Sequence, residues 1–119
     1  MAYHSWMTGK RLTDQQRVLR TVTEAQWQAQ VVEYAQLRGW MVAHFRPGLN
    51  QRGQWLTAVA ADGAGFPDLV LARDGVVLFA ELKRETGKVS DAQQAWLAQL
   101  PASFVWRPSD LDDVLEILR

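Results

Sequence analysis

The chain has 119 residues, of which 48% are hydrophobic, so one ordinary domain with a single apolar core is expected. It has no cysteine, which excludes disulfides, thiolate metal sites and cysteine nucleophiles. No apolar run approaches the roughly 20 residues of a membrane span, and the N-terminus lacks a signal-peptide core, so a cytoplasmic protein without a membrane partner is expected.

The formal charge is zero, but the charged residues are unevenly distributed. Residues 1–60 carry seven Lys or Arg against three Asp or Glu, and residues 61–119 carry six against ten. The balanced total argues against indiscriminate binding to nucleic acid. It permits a basic arm and an acidic half suited to a metal ion.

The N-terminal part divides into an arm and the start of the main domain. Residues 1–22 are interpreted as an N-terminal arm with a short helix, and residues 23–119 as the domain itself. Thr13 followed by Gln16 predicts the capped start of the short helix.

The next helix is predicted over residues 23–38. Thr23 and Gln26 have the spacing of a capping box, and Gly39 supplies the stop. Glu24 lies in the first turn, where a negative charge is favourable whatever its function. One apolar stripe follows helical spacing and consists of Trp27, Val31, Tyr34 and Ala35.

The middle of the chain predicts strands separated by irregular segments. Residues 40–45 are interpreted as a strand, residues 46–54 as a basic loop, and residues 55–60 as a possible strand. Glycine and proline in residues 63–67 mark a break before the next strand.

A β-hairpin is predicted from Asp74-Gly75, which joins two apolar segments at residues 68–73 and 76–83. A two-residue loop places Asp68 opposite Glu81, and the alternation of side chains places Lys83 on the same face. Both strands are apolar on both faces for most of their length, which predicts interior strands covered on both sides.

Two facing carboxylates are costly unless a cation lies between them. Like charges about 5 Å apart repel by about 3 kcal/mol at an effective dielectric constant of 20. Mg²⁺ or Mn²⁺ would use this pair, because such ions need only one or two carboxylates, and the Leu82 carbonyl could add a third oxygen. Lys83 could then hydrogen-bond an attacking water or a phosphate. The alternative is an ordinary salt bridge from Lys83 to Glu81 or Asp68.

A further helix is predicted from Ser90 to Leu100, ended by Pro101. Gln93 lies three residues after Ser90, so it can be the capping partner of Ser90, a site residue, or both. Residues 103–106 then form a short strand.

The last predicted element is a helix capped by Ser109 with Asp112. Its apolar residues have helical spacing and are Leu111, Val114, Leu115 and Leu118. The order of elements predicts an α/β domain with a mixed β-sheet flanked by helices.

The hairpin sequence resembles a known nuclease signature. Residues 65–71 read Gly-Phe-Pro-Asp-Leu-Val-Leu, and residues 79–83 read Phe-Ala-Glu-Leu-Lys. Together they resemble the PD-(D/E)xK pattern. The chain is similar to the small stand-alone phage and bacterial VRR-NUC members of that superfamily at Thr23-Glu24, Gly39-Trp40, His44-Phe45-Arg46, Ser90 to Trp96 and Trp106 to Leu111.

This resemblance implies a restriction-endonuclease-like core, αβββαβ plus a C-terminal helix, and metal-dependent cleavage of DNA. The family's aspartate, glutamate and lysine would fall on Asp68, Glu81 and Lys83. An acidic residue of the first helix would fall on Glu24, in the metal site, and a glutamine would fall on Gln93. Stand-alone members are associated with homodimers that act on branched DNA such as Holliday junctions, in a bacterial or phage-infected cell.

Several basic or polar side chains are candidates for DNA contacts. The alternative for each is a solvated surface position, or a structural role for the histidine. These candidates are His44, Arg46, Arg52, Arg84 and Lys88.

Two other functions stay open beside a DNA endonuclease. One is a catalytically weak module that only binds nucleic acid, and the other is a nuclease that needs a partner subunit for targeting. Retained binding with lost cleavage in Lys83→Ala would separate the enzyme from the binding module.

Overall fold

The computed structural model describes residues 11–45 and 60–119, and the backbone of residues 48–49 and 55–56. The helices are α1 (Asp14–Thr21), α2 (Glu24–Leu37), α3 (Asp91–Gln99) and α4 (Leu111–Leu118), with a 3-10 turn at Pro108–Asp110. The strands are β1 (Met41–His44), β2 (Gly48–Leu49), β3 (Trp55–Leu56), β4 (Leu69–Arg73), β5 (Val76–Leu82) and β6 (Ser103–Trp106).

Four of the strands form one mixed sheet in the order β1-β4-β5-β6. The first two pairings are antiparallel, and β5 pairs with β6 in parallel. The parallel connection runs through α3, as a crossover between parallel strands requires. The predicted α/β class and αβββαβ order are therefore confirmed, and the fold is consistent with a restriction-endonuclease-like core.

The segment between β1 and β4 differs from the prediction. The possible strand at residues 55–60 contains the two-residue strand β3, which pairs with β2 in a separate sheet. Strand β2 lies in what was predicted as loop. A segment carried by Ala and Thr has little apolar surface to hold it in the main sheet, and its described residues Trp55 and Leu56 pair locally with β2 instead. The other residues of 46–59 lie outside the described residues.

The hairpin forms in the predicted register. Arg73 pairs with Val76, and Leu69 pairs with Ala80. Asp74 and Gly75 have φ angles of 50° and 81°. Positive φ at both central residues is the conformation of a type I′ turn, which matches the twist of the two strands.

One face of the sheet packs against α2 and α4 to form the core. Trp27 and Trp40 anchor this packing: their indole N–H groups donate to the carbonyls of Trp106 (2.9 Å) and Leu118 (3.0 Å). The buried strand residues on this face are Leu69, Leu71, Leu78, Ala80 and Leu82. The buried helix residues opposite them are Trp27, Val31, Ala35, Val114 and Leu118.

Among the described residues, the other face of the sheet is covered at one end only, so the prediction that both faces are buried is wrong near the hairpin turn. Val77 is 44% exposed there, and Met41 on β1 is 78% exposed. At the opposite end, α3 lies over this face, and Phe79 meets the ring of Phe66, which packs on Trp96. Helix α3 has nine residues and is too short to cover the whole sheet.

Capping predictions are confirmed at three helices and wrong at one. Thr13, Ser90 and Thr23 each form the predicted box with the residue three positions later. At the last helix, the Arg107 N–H donates to Asp110 Oδ2, and the chain makes a 3-10 turn before α4. Pro108 favours an earlier start, since its fixed φ suits the first position of a helix.

Candidate active site

Asp68 and Glu81 lie side by side at the end of the hairpin covered by α3. Asp68 directly precedes β4, and its carbonyl accepts a 2.8 Å hydrogen bond from the Phe45 N–H. Its carboxylate Oδ2 accepts a 3.0 Å hydrogen bond from the Leu82 N–H. These two contacts tie the backbone and side chain of Asp68 to the strands on either side.

Pro67 explains why the ladder opens at this point. It is buried and falls opposite Leu82 when the hairpin register is extended. Proline has no N–H to give to the opposing carbonyl, so a strand can begin here without completing its hydrogen bonds. The Leu82 carbonyl is therefore left for another partner.

Glu81 is a buried carboxylate in an unfavourable place for a negative charge. Its side chain is 2% exposed, and within the described residues Oε1 has no hydrogen-bond partner. Burial, the charge of Asp68 and the hydrogen bond that only protonated Glu81 can donate to Asp68 raise the pKa of Glu81 to about 8, against a smaller opposing effect of Lys83. The nearby Glu24 raises this pKa further.

Lys83 lies within ion-pair distance of Glu81. Its Nζ is 3.7 Å from Glu81 Oε2, and its N–H donates to the Trp106 carbonyl at 3.0 Å. The salt bridge considered as the alternative is thus present. At this length it is looser than a charge-assisted hydrogen bond, so the ammonium protons stay available to another oxygen.

Gln93 is both the capping partner of Ser90 and a hydrogen-bond partner of Glu81. Its Oε1 accepts a 2.8 Å hydrogen bond from the Ser90 N–H, as a capping box requires. Its Nε2 donates to Glu81 Oε2 at 3.0 Å. The start of α3 therefore holds the amide in the orientation that reaches the carboxylate.

Glu24, at the first position of α2, lies close enough to Asp68 and Glu81 for their charges to affect each other's pKa. Local desolvation and the charge of Asp68 raise its pKa, and Lys83 and Arg84 oppose this effect. Its side chain is exposed. The structure thus brings Glu24 to the edge of the site.

The predicted DNA contacts fall in different places. His44 pairs with Leu69, so it lies on the sheet face opposite the carboxylates. Arg84 and Lys88 are exposed in the loop that follows β5. Arg46 and Arg52 lie outside the described residues.

The profile of one protein family matches this chain, that of the VRR-NUC domain, over residues 15–105. The chain belongs to the VRR-NUC family. Membership implies a nuclease-type function with DNA as the substrate. Comparison with curated proteins and with solved structures gave no match.

Part of this VRR-NUC domain is held by a contact that the sequence did not predict. The Arg107 guanidinium donates from Nη1 to the carbonyls of Arg84 (3.0 Å) and Gly87 (2.7 Å). Glu85 accepts a 3.1 Å hydrogen bond from the Ser109 N–H. These contacts fix the loop after Lys83. They join residues about twenty positions apart, so local pattern rules cannot find them.

Gly65 is a second residue whose role the sequence did not reveal. Its φ is +85°, and a Cβ there would lie 2.6 Å from the Ala92 carbonyl carbon and 2.8 Å from the Gln93 nitrogen. The segment leading to Asp68 therefore lies directly on the first turn of α3. Only glycine permits this approach.

The side chains present fit a hard divalent cation. Among the described residues no three His, Cys, Asp or Glu side chains form a complete metal site. Mg²⁺ does not need one, because it usually keeps several waters and binds one or two carboxylates. Asp68 and Glu81 supply these, and Glu81 Oε1 is a buried acceptor without a hydrogen-bond partner in the described part of the chain.

No helix in the described part of the chain is long and apolar enough to cross a membrane.

Proposed function

We propose that this protein is a metal-dependent DNA endonuclease that hydrolyses phosphodiester bonds in branched DNA. The observation that carries the proposal is the buried Glu81 carboxylate beside Asp68, with the Lys83 ammonium 3.7 Å away. Without a further cation the ionised form of Glu81 is unfavourable, because burial and Asp68 raise its pKa to about 8 in spite of Lys83. A cation bound between the two acids would offset this cost.

In this proposal Asp68, Glu81 and the Leu82 carbonyl would hold Mg²⁺ or Mn²⁺, with Glu24 at the edge of the site. The ion would supply positive charge for the phosphate and lower the pKa of a bound water. Lys83 donates a hydrogen bond to the attacking water or to a phosphate oxygen. Gln93 keeps Glu81 in one orientation, as partners of metal-binding carboxylates commonly do.

Branched DNA is proposed from the family resemblance and from the charge of the chain. A net charge of zero gives little general attraction to duplex DNA, so recognition of a particular shape must supply much of the selectivity. A four-way junction requires two symmetric cuts, which a homodimer with a two-fold axis would provide.

The direct test incubates the purified chain with labelled four-way, flap and linear duplex DNA, in Mg²⁺, Mn²⁺ or chelator. We expect metal-dependent cleavage of the branched substrates alone, lost in Lys83→Ala although that variant still binds them. Equal behaviour of the two proteins would favour a module that only binds DNA. Binding by the chain alone, with cleavage only after an added subunit, would favour a partner-dependent nuclease.

A further inference from the structure

We infer that Phe45 stacks on an unstacked base next to the scissile phosphate, which makes it a specificity-determining residue for branched DNA. This inference rests on the proposed function and deepens it. It assigns the recognition of an unstacked base to one ring beside the carboxylates.

Phe45 lies next to Asp68 on the same face of the sheet. Its N–H donates to the Asp68 carbonyl at 2.8 Å, one position beyond the last β1–β4 pair, His44 with Leu69. Residues paired across strands share a face and lie about 5 Å apart at Cβ. The same face continues from Asp68 to Glu81 on β5. Extending both registers by one position places Phe45 opposite Asp68 and Asp68 opposite Glu81, in one row at the ends of β1, β4 and β5.

The ring of Phe45 is held in place on one side and open on the other. It meets Phe66 edge to face, with 5.8 Å between ring centroids, and the residue is still 48% exposed. Phe66 is itself fixed by similar contacts with Phe79 at 6.0 Å and Trp96 at 5.0 Å. The Trp96 indole donates to the Asp62 carbonyl at 2.8 Å.

An aromatic ring ordered in this way is well suited to stacking. A base that stacks on it loses little additional freedom in the protein, because the supporting rings already restrict Phe45. Base–aromatic stacking is tolerant of sequence, since every base has a π face. In an intact duplex both faces of each base are already stacked. The ring therefore favours DNA in which a base near the cut has left the stack, as at a branch, flap or end.

Other exposed apolar residues on this sheet lack the same setting. Met41 lies on β1, four residues before Phe45 and on the same face, but pairs with Ala72, away from the carboxylates. Val77 pairs with that same Ala72 and lies near the hairpin turn. An aromatic ring beside the acids is found at Phe45, and Met41 offers a matched control.

The test measures kcat/KM on a branched DNA that the wild-type chain cuts. Three forms of this DNA are compared: the intact form, and two forms in which the nucleotide on one or the other side of the scissile phosphate is abasic. Phe45→Leu keeps apolar bulk against Phe66 but removes the aromatic face. We expect it to lower kcat/KM roughly 5- to 100-fold on intact DNA, with activity retained in Phe45→Trp and in Met41→Ala. For one of the two abasic substrates, the kcat/KM of the wild type should fall about as much as Phe45→Leu lowers it on intact DNA. On that substrate, wild type and Phe45→Leu should have the same kcat/KM.

A loss of the same size on intact and abasic DNA would assign Phe45 a structural role and overturn the inference. Unchanged activity in Phe45→Leu would also overturn it. A binding measurement without metal, in a Lys83→Ala background, decides the question independently of cleavage. We expect the fluorescence of 2-aminopurine at an unpaired position of the DNA to be quenched by the Lys83→Ala protein. The double variant Lys83→Ala, Phe45→Leu should not quench it. If the wild-type protein cuts no DNA, the proposed function fails. If the quenching is also the same with and without Phe45, the stacking inference fails as well.

Discussion

At the residue scale, Glu81 has two kinds of neighbour with opposite effects on its charge. Asp68 and burial favour the protonated carboxyl, whereas Lys83 favours the carboxylate. Gln93 donates to Oε2 in either state. In the proposed function, a cation would bind here in exchange for the proton of Glu81.

The raised pKa predicts how stability depends on pH without metal. Between the ordinary value of 4.5 and about 8, folded Glu81 holds a proton that the unfolded chain releases. The free energy of unfolding therefore falls as pH rises through this window. Glu81→Gln should remove this part of the slope and stabilise the protein at pH 8 by roughly 2–4 kcal/mol.

Urea unfolding in chelator at pH 5 to 9 measures this effect. The amide of Glu81→Gln can accept from Gln93 and donate to Asp68, as the protonated acid does. Glu33→Gln, at an exposed position of α2, is the control for a generic change of charge. Parallel curves for wild type and Glu81→Gln would contradict the prediction.

The two roles of Gln93 can be separated by comparing it with its capping partner. Gln93→Ala and Ser90→Ala each remove half of the capping box and should each cost about 1 kcal/mol of stability. Only Gln93→Ala removes the hydrogen bond to Glu81. It should lower cleavage by roughly 10- to 100-fold, the usual effect of losing a partner of a metal ligand. Cleavage assays would refute this role if both variants lost activity equally.

At the scale of elements, the sequence correctly predicted the hairpin register and three helix caps, because each is determined by residues close together in the chain. Asp74-Gly75 fixes the hairpin register through its own backbone conformation, so residue order alone was enough to infer that Asp68 and Glu81 are neighbours. The capping boxes of α1, α2 and α3 are likewise contacts between residues three apart.

Elements that depend on distant contacts could not be predicted in this way. The partner of β3, the exposed sheet face near Val77 and the loop held by Arg107 all depend on which segments meet in space. The contact of Gly65 with α3 belongs to the same class. The sequence showed only a break in the chain at that point, and the close approach explains why glycine is there.

Two glycines with similar φ angles allow the Gly65 contact to be measured. Gly65→Ala and Gly75→Ala share the cost of positive φ, about 1 kcal/mol. At Gly75 a Cβ meets no atom within 4 Å, whereas at Gly65 it meets the backbone of α3. Gly65→Ala should therefore be less stable by roughly 1–3 kcal/mol beyond this shared cost.

The same two variants should differ in activity. Displacement of the first turn of α3 would move Gln93 from Glu81, so Gly65→Ala should lose most of its cleavage activity and Gly75→Ala should keep it. Urea unfolding and DNA cleavage together check the pair. Equal stability and equal activity would show that the approach to α3 does not position the site.

At the scale of the whole molecule, a net charge of zero gives little general attraction to DNA, so individual exposed cations should have a measurable effect on binding. Arg84 and Lys88 are exposed in the loop after Lys83, and Arg84 is close enough to influence Glu24. Arg84→Gln and Lys88→Gln should each weaken binding to all DNA substrates and reduce the slope of log K against log salt by about one.

Arg119→Gln is the matched control for this electrostatic effect. Arg119 is an exposed cation that pairs with Glu116 at the C-terminus, and its carbonyl contacts Arg73 at the hairpin-turn end of the sheet. Binding isotherms at several salt concentrations should leave its slope unchanged. The same change of slope in all three variants would show that only net charge matters.

The central claim is that Asp68 and Glu81 share a divalent cation. It is tested most directly by the anomalous scattering of Mn²⁺ in crystals soaked with that ion. We predict a peak between the two carboxylates, at about 2.1 Å from an oxygen of each, with the Leu82 carbonyl among the ligands. A Mn²⁺-soaked crystal of the active protein with no peak at these carboxylates would contradict the account.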